Sequence, residues 1–162
     1  REFPERLAKL CDHLRREHGL EVLFLLMQPG VDRGMTGAVR AAMEGPSYLL
    51  EAPCTPREMM AVLGQAKLCL AMRLHTLIFA ARMAVPTLGL VYDPKVESFL
   101  AELELPSAGH VESFDADRAI AHSDKLLSEY ESVLNQLREK SARMEQASHE
   151  NERLLLELLK RR

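Results

Sequence analysis

Two cationic residues and a histidine follow two apolar runs of the chain. These three residues are the best candidates for binding or catalysis. Arg73 and His75 come directly after the run at 68–71, and Lys95 follows a second run at 86–90. Arginine presents a planar fork that binds a carboxylate or a phosphate through two hydrogen bonds, and histidine exchanges a proton near neutral pH. Such a set is suited to bind a small anion and to move a proton on it.

The elements that carry these residues are expected to bring them together. The pattern from 68 to 96 predicts a strand, a helix and a second strand, and in such a unit both strands end at one edge of a parallel sheet, where ligands bind. The start of a helix also favours an anion. We therefore predict one crevice that contains Arg73, His75 and Lys95. A structural role, such as pairing with a carboxylate or capping a helix, remains open for each of them. Asp93 is predicted to cap the helix that begins at Pro94.

Helical and strand patterns alternate along the chain with short turns between them. Helices are predicted over 3–17, 32–43, 55–64, 73–83 and 94–103, and strands over 22–27, 47–50, 68–71, 86–90 and 109–112. Thr55 and Glu58 have the spacing of a capping box. The continuous apolar run at 22–27 predicts a strand covered on both faces. The alternation predicts an α/β fold with a Rossmann-like parallel sheet and helices on both faces.

The composition changes from about residue 123, where the chain no longer contains Gly or Pro. Apolar residues then recur at alternating steps of four and three, and they are Leu126, Tyr130, Val133, Leu137, Met144, Ala147, Leu154 and Leu158. This heptad pattern predicts a long terminal helix over 123–162, separate from a domain over 1–122. The helix either packs across the domain or a missing neighbour, or forms a homodimeric coiled coil. We favour packing, because Lys140 and Asn151 occupy two positions of the apolar seam.

Composition and charge exclude several classes of protein. The chain has 162 residues, of which 47% are hydrophobic and 28% charged, which is typical of a globular domain with a core. The net charge of −3 argues against nucleic-acid binding, which needs a basic surface. Cys11, Cys54 and Cys69 lack CxxC spacing and indicate reduced thiols in a cytoplasmic protein. Asp12, His13 and His18 are not expected to form a metal set, and we expect no metal ion and no cofactor.

The motifs around Arg73 and Lys95 resemble the signature of the polysaccharide pyruvyl transferase family. The run consists of MRLH at 72–75, LIFAA at 77–81, VP at 85–86 and YDPKV at 92–96. The resemblance is closest to the bacterial cell-wall-polysaccharide type that serves S-layer anchoring. One departure is Ala71, where the family usually has glycine.

The resemblance implies a fold and an activity. The family is similar to two-domain glycosyltransferases of the B type, and this chain resembles only the C-terminal half, so we expect a fragment that lacks the N-terminal domain and is inactive alone. The implied reaction transfers pyruvate from phosphoenolpyruvate to a sugar of a lipid-linked or polymeric acceptor, which gives a cyclic ketal. His75 would act as general acid and base. Arg73 and Lys95 would neutralise the carboxylate and the phosphate. The enzyme would be cytoplasmic, in part at the inner face of the cell membrane.

Two other interpretations remain open. The first is the nucleotide-sugar-binding half of a glycosyltransferase of the B type, which also places cations near a helix start. The second is a non-enzymatic Rossmann-like module that oligomerises through its terminal helix.

Overall fold

The computed structural model describes residues 2–160, so Arg1, Arg161 and Arg162, which the predicted segments include, lie outside the described residues. The helices are α1 (Glu2–His18), α2 (Pro29–Ala42), α3 (Pro56–Leu63), α4 (Leu74–Arg82), α5 (Pro94–Leu103), α6 (Ala116–Ser128) and α7 (Tyr130–Lys160). The strands are β1 (Leu23–Leu25), β2 (Tyr48–Leu50), β3 (Cys69–Ala71), β4 (Thr87–Val91) and β5 (Ser107–His110), and a 3-10 turn (Val111–Ser113) follows β5. The chain is thus of the predicted mixed α/β class.

The strands form two small parallel sheets instead of the single sheet that the pattern predicted. One sheet is the pair β1–β2, and the other has the order β3–β4–β5. Leu23 and Tyr48, which pair across β1 and β2, are 46% and 60% exposed. The prediction that the run at 22–27 is a strand covered on both faces is therefore wrong, because a continuous apolar run does not fix how many layers cover it.

Helices cover both faces of the three-stranded sheet, as the alternating pattern predicted. Leu88 and Leu90 of β4 belong to a core cluster that includes Leu10 of α1 and Leu126 of α6. The strand residues of the opposite face belong to a second cluster, which the apolar residues of α3, α4, α5 and the first half of α7 complete. Successive residues of a strand point to opposite faces of the sheet. Because the residues of both faces belong to a core cluster, the three-stranded sheet is buried on both sides.

Gly89 lets α5 pack directly on the backbone of β4. A Cβ atom at this position would lie 2.3 Å from Cδ1 of Leu100, which is closer than two carbon atoms can approach. The close contact packs the second half of α5 against the middle of β4.

The capping residues largely follow the sequence signals. Thr55 and Glu58 form the predicted capping box of α3, with the Thr55 N–H donating to Oε2 of Glu58 at 2.8 Å. Asp93 caps α5 by accepting a hydrogen bond from the backbone N–H of Lys95 at 2.8 Å. However, α2 begins at Pro29 and not at residue 32. Proline has no backbone N–H, but the first turn of a helix needs none for its internal hydrogen bonds, so Pro29 can start the helix.

The predicted long C-terminal helix is present as α7, but it begins at Tyr130 and not at residue 123, because the segment is divided between α6 and α7. Ser123 lies within α6, and the chain departs from helical geometry at Glu129 before α7 begins. The first half of α7 packs in cis, since Leu137 is fully buried and Nζ of Lys140 lies 2.9 Å from Oε1 of Glu104. Lys140 therefore pairs with the domain, which explains why a lysine occupies the apolar seam.

The second half of α7 extends away from the core. Residues 146–156 are all exposed, and the leucines Leu154, Leu155, Leu156, Leu158 and Leu159 have about half or more of their surface accessible. The homodimeric coiled coil stays a prediction. None of the described helices combines the length and the hydropathy needed to cross a bilayer.

Candidate active site

The loops that follow β3 and β4 lie side by side at the carboxyl edge of the three-stranded sheet. The two strands are parallel neighbours, with Ala71 opposite Gly89. α4 begins three residues after the end of β3, and α5 begins three residues after the end of β4. His75 and Lys95 are each the second residue of their helix, and both are exposed. The predicted strand–helix–strand unit is therefore present, and both side chains are accessible to a ligand.

Arg73 is held by a carboxylate that the sequence did not point to. Its Nη2 donates a hydrogen bond to Oδ1 of Asp32 at 2.6 Å, and the side chains of Arg73 and Asp32 are 25% and 17% exposed. The second oxygen of Asp32 accepts a hydrogen bond from the backbone N–H of Gln28 at 2.7 Å. Partial burial acts to raise the pKa of Asp32, but the hydrogen bonds from Arg73 and Gln28 outweigh it and hold that pKa below its usual value.

This ion pair connects the two sheets at their carboxyl edges. Asp32 lies in the first turn of α2, which follows β1, whereas Arg73 follows β3. The pair fixes the orientation of the guanidinium and neutralises part of its charge, and within residues 2–160 Asp32 is its one side-chain hydrogen-bond partner. The signal that could have identified Asp32 is its place in the first turn of a helix that starts at the same edge.

An open depression of about 570 Å³ lies at this edge, and none of the three predicted residues lines it. Its lining residues are Met72, Val91, Tyr92, His110, Val111, Glu112 and Ser113. His110 ends β5 and Glu112 lies in the turn that follows, whereas the sequence pattern predicted a strand over 109–112. The sequence predicted a crevice that contains Arg73, His75 and Lys95, whereas the structure has an open sheet edge with a depression beside these residues. Tyr92, His110 and Glu112 line the depression and are polar groups that the sequence analysis did not identify as site residues.

Replacement of Asp32 by alanine should lower the free energy of unfolding at pH 7 by about 1.5–3 kcal/mol, because a charged hydrogen bond to a largely buried guanidinium is lost. A carboxyl group with a lowered folded-state pKa stabilises the fold above its unfolded-state pKa, and this stabilisation is lost as the pH falls through the folded-state value. Urea unfolding of both proteins should therefore show a difference that shrinks below about pH 4. A difference that stays constant from pH 7 to pH 3 would contradict a role of the ionised Asp32.

Comparison with known proteins gives a family for this site. Residues 1–94 match a family model for polysaccharide pyruvyl transferase. No curated protein and no solved structure matches the chain. The matched segment extends from α1 to the first residue of α5, so it contains Asp32, Arg73 and His75 and ends one residue before Lys95. Because the match covers more than half of the chain, the chain belongs to the polysaccharide pyruvyl transferase family.

Proposed function

We propose that the protein transfers pyruvate from phosphoenolpyruvate to a pair of sugar hydroxyls, and that this chain supplies the donor site. The family supports a transferase. The observation that carries the donor site is the pairing of Arg73 with Asp32 at the sheet edge where α4 and α5 also begin. Two helix starts and an oriented guanidinium favour a small molecule with more than one negative charge.

The reaction needs one proton donor and several anion-binding groups. The enol carbon C3 of phosphoenolpyruvate takes up a proton, which leaves C2 electron-deficient, and a first sugar hydroxyl adds to C2 and loses its proton. The second hydroxyl then displaces phosphate from C2, so the carbon–oxygen bond to phosphate breaks and the departing phosphate takes up the second hydroxyl proton. The products are a methyl-bearing cyclic ketal and inorganic phosphate.

The three predicted residues fit different parts of this scheme. His75 is exposed at the start of α4 and is proposed to deliver the proton to C3 and to accept the proton of the attacking hydroxyl. Arg73 is proposed to bind the carboxylate through the side of the guanidinium that Asp32 does not occupy. Lys95 is proposed to stabilise the charge on the departing phosphate. None of these steps requires a metal ion or an organic cofactor.

The acceptor substrate and the cellular location are proposed from the type of family member that the sequence resembles. We propose a lipid-linked or polymeric cell-wall precursor as the acceptor, in a pathway that serves S-layer anchoring. The reaction would take place in the cytoplasm, close to the inner face of the membrane. A second domain of the B-type glycosyltransferase architecture would face this sheet edge and contribute the acceptor site, so the isolated chain would be inactive.

A nucleotide-sugar-binding half of a glycosyltransferase is the second candidate function. The observation in its favour is that parallel strands followed by two helix starts also suit a diphosphate. A third candidate, a non-enzymatic oligomerising module, is favoured by the exposed leucines at the end of α7.

Calorimetric titration of the full-length protein separates the first two candidates. We expect phosphoenolpyruvate to bind with saturation and UDP-sugars not to bind. Arg73→Ala should weaken phosphoenolpyruvate binding by about 10–100-fold, since a charged hydrogen-bonding group is worth about 1.5–3 kcal/mol. Arg33→Ala is the matched control, because Arg33 lies in α2 next to Asp32 but pairs with Glu51 on the surface. Saturable binding of a UDP-sugar without phosphoenolpyruvate binding would favour the glycosyltransferase instead.

A further inference from the structure

Two histidines and one aspartate meet where α1 packs against α6. Nε2 of His13 lies 2.8 Å from Oδ1 of Asp124, and Nε2 of His18 lies 2.7 Å from the same oxygen. The two imidazole rings lie edge to face with their centroids 5.8 Å apart. The side chains of His13, His18 and Asp124 are 21%, 27% and 41% exposed, so the cluster is partly enclosed and still reachable from solvent.

The three side chains point their ligand atoms at one small volume. One ring nitrogen of each histidine and one carboxylate oxygen of Asp124 lie within 4.8 Å of one another. In a tetrahedral zinc site the metal lies about 2.0–2.1 Å from a nitrogen and about 2.0–2.2 Å from a carboxylate oxygen, which puts neighbouring ligand atoms roughly 3.3 Å apart. The nitrogen–oxygen distances of 2.7 and 2.8 Å therefore need to open by only about half an ångström.

We propose that His13, His18 and Asp124 bind a divalent transition-metal ion of the zinc type, with a fourth position left for water. Two imidazoles and one carboxylate are ligands that suit zinc and its neighbours, and three protein ligands leave an open position. The aspartate that α1 itself offers is not available. Asp12 accepts hydrogen bonds from the backbone N–H groups of Glu44 at 2.8 Å and Gly45 at 3.1 Å. The third ligand, Asp124, comes instead from α6, so the residues of α1 alone do not form a metal site.

The site is distinct from the carboxyl edge of the sheet. His18 ends α1, and the chain then enters β1 from its amino end. α6 begins after β5 at the carboxyl edge and runs back, which puts Asp124 near the other end of the domain. The metal would therefore join α1 to α6 and would not act on the donor substrate. The neighbouring ion pair of Lys9 with Asp117 and the hydrogen bond from Arg6 to the carbonyl of Phe114 extend the same contact.

Titration of the chain with Zn²⁺ alone tests the site. We expect one ion per chain, and we expect Zn²⁺ to raise the melting temperature, since an ion that binds only the folded state stabilises it. Loss of a residue that only hydrogen-bonds a metal ligand typically weakens metal binding by roughly 10–100-fold. His13→Ala, His18→Ala and Asp124→Asn each remove a ligand itself and should weaken Zn²⁺ binding by more than this. Each variant should also lose the Zn²⁺-dependent rise in melting temperature.

His122→Ala is the matched control, because His122 lies on α6 two residues before Asp124 but outside the cluster. It should bind Zn²⁺ like the parent chain. Circular dichroism without metal establishes that each variant folds, and Asp124→Asn retains a side-chain oxygen that can accept the histidine hydrogen bonds. Substitution by Co²⁺ should give a visible spectrum without the sulfur-to-metal bands that binding at a cysteine would produce. Undiminished Zn²⁺ affinity in all three variants, sulfur-to-metal bands, or failure of the parent chain to bind Zn²⁺ would each overturn the proposal.

Discussion

Replacement of His75 by alanine should lower the turnover of the full-length enzyme by about 10²–10⁴-fold, which is the range that a positioned general acid or base contributes. His75 is exposed at the second position of α4, so its side chain supports no core contact, and the fold should survive its removal. The affinity for phosphoenolpyruvate should change little, because Arg73 and Lys95 are proposed to carry the charges that bind the donor. The loss should appear in kcat and not in KM.

The comparison that isolates proton transfer uses a second histidine. His149 lies on α7 with 70% of its side chain exposed, and His149→Ala should leave turnover unchanged. Phosphate release measured with phosphoenolpyruvate and an acceptor gives kcat, and calorimetry gives the affinity for the donor. If His75→Ala turns over at a rate near that of the parent enzyme, His75 is not the proton donor, and His110 at the end of β5 becomes the next histidine to test.

Local sequence signals were sufficient for most of the secondary structure. α5 has the predicted bounds, and the capping box of α3 and the cap of α5 were recognised because each involves residues within three positions of one another. A local error was the start of α2, which the pattern placed at residue 32 and the structure places at Pro29. Proline breaks a helix when it lies in the interior but is favourable in the first turn. The sequence alone did not show whether Pro29 precedes the helix or belongs to its first turn.

The features that could not be predicted depend on contacts between distant residues. Arg73 and Asp32 are separated by 41 positions, and His13 and Asp124 by 111. Neither pair has a spacing that marks it, because only the tertiary fold brings the first turn of α2 to the loop after β3 and packs α1 against α6. The split into two sheets is of the same kind, since the lengths of β1 and β3 do not reveal whether they pair. The family resemblance, in contrast, was carried by a nearly continuous motif, and the match over residues 1–94 confirmed it.

Replacement of Lys95 by alanine should lower turnover by about 10²–10³-fold, the cost typical of losing one group that stabilises developing charge in a transition state. The stability of α5 should be unaffected. Asp93 caps that helix through the backbone N–H of residue 95, and a substitution of the Lys95 side chain leaves this hydrogen bond in place. A fall in turnover can therefore be assigned to the ammonium group and not to a displaced helix.

Two further variants separate charge from shape at this position. Lys95→Arg retains the positive charge and should recover part of the lost turnover, whereas Lys95→Gln has a similar length without the charge and should resemble Lys95→Ala. Lys9→Ala is the matched control, since Lys9 is a half-exposed lysine of α1 that pairs with Asp117 on the surface. Equal turnover in the Gln and Arg variants would show that the charge of residue 95 does not act on the departing phosphate. The anion-stabilising role would then rest on Arg73 and on the backbone N–H groups at the starts of α4 and α5.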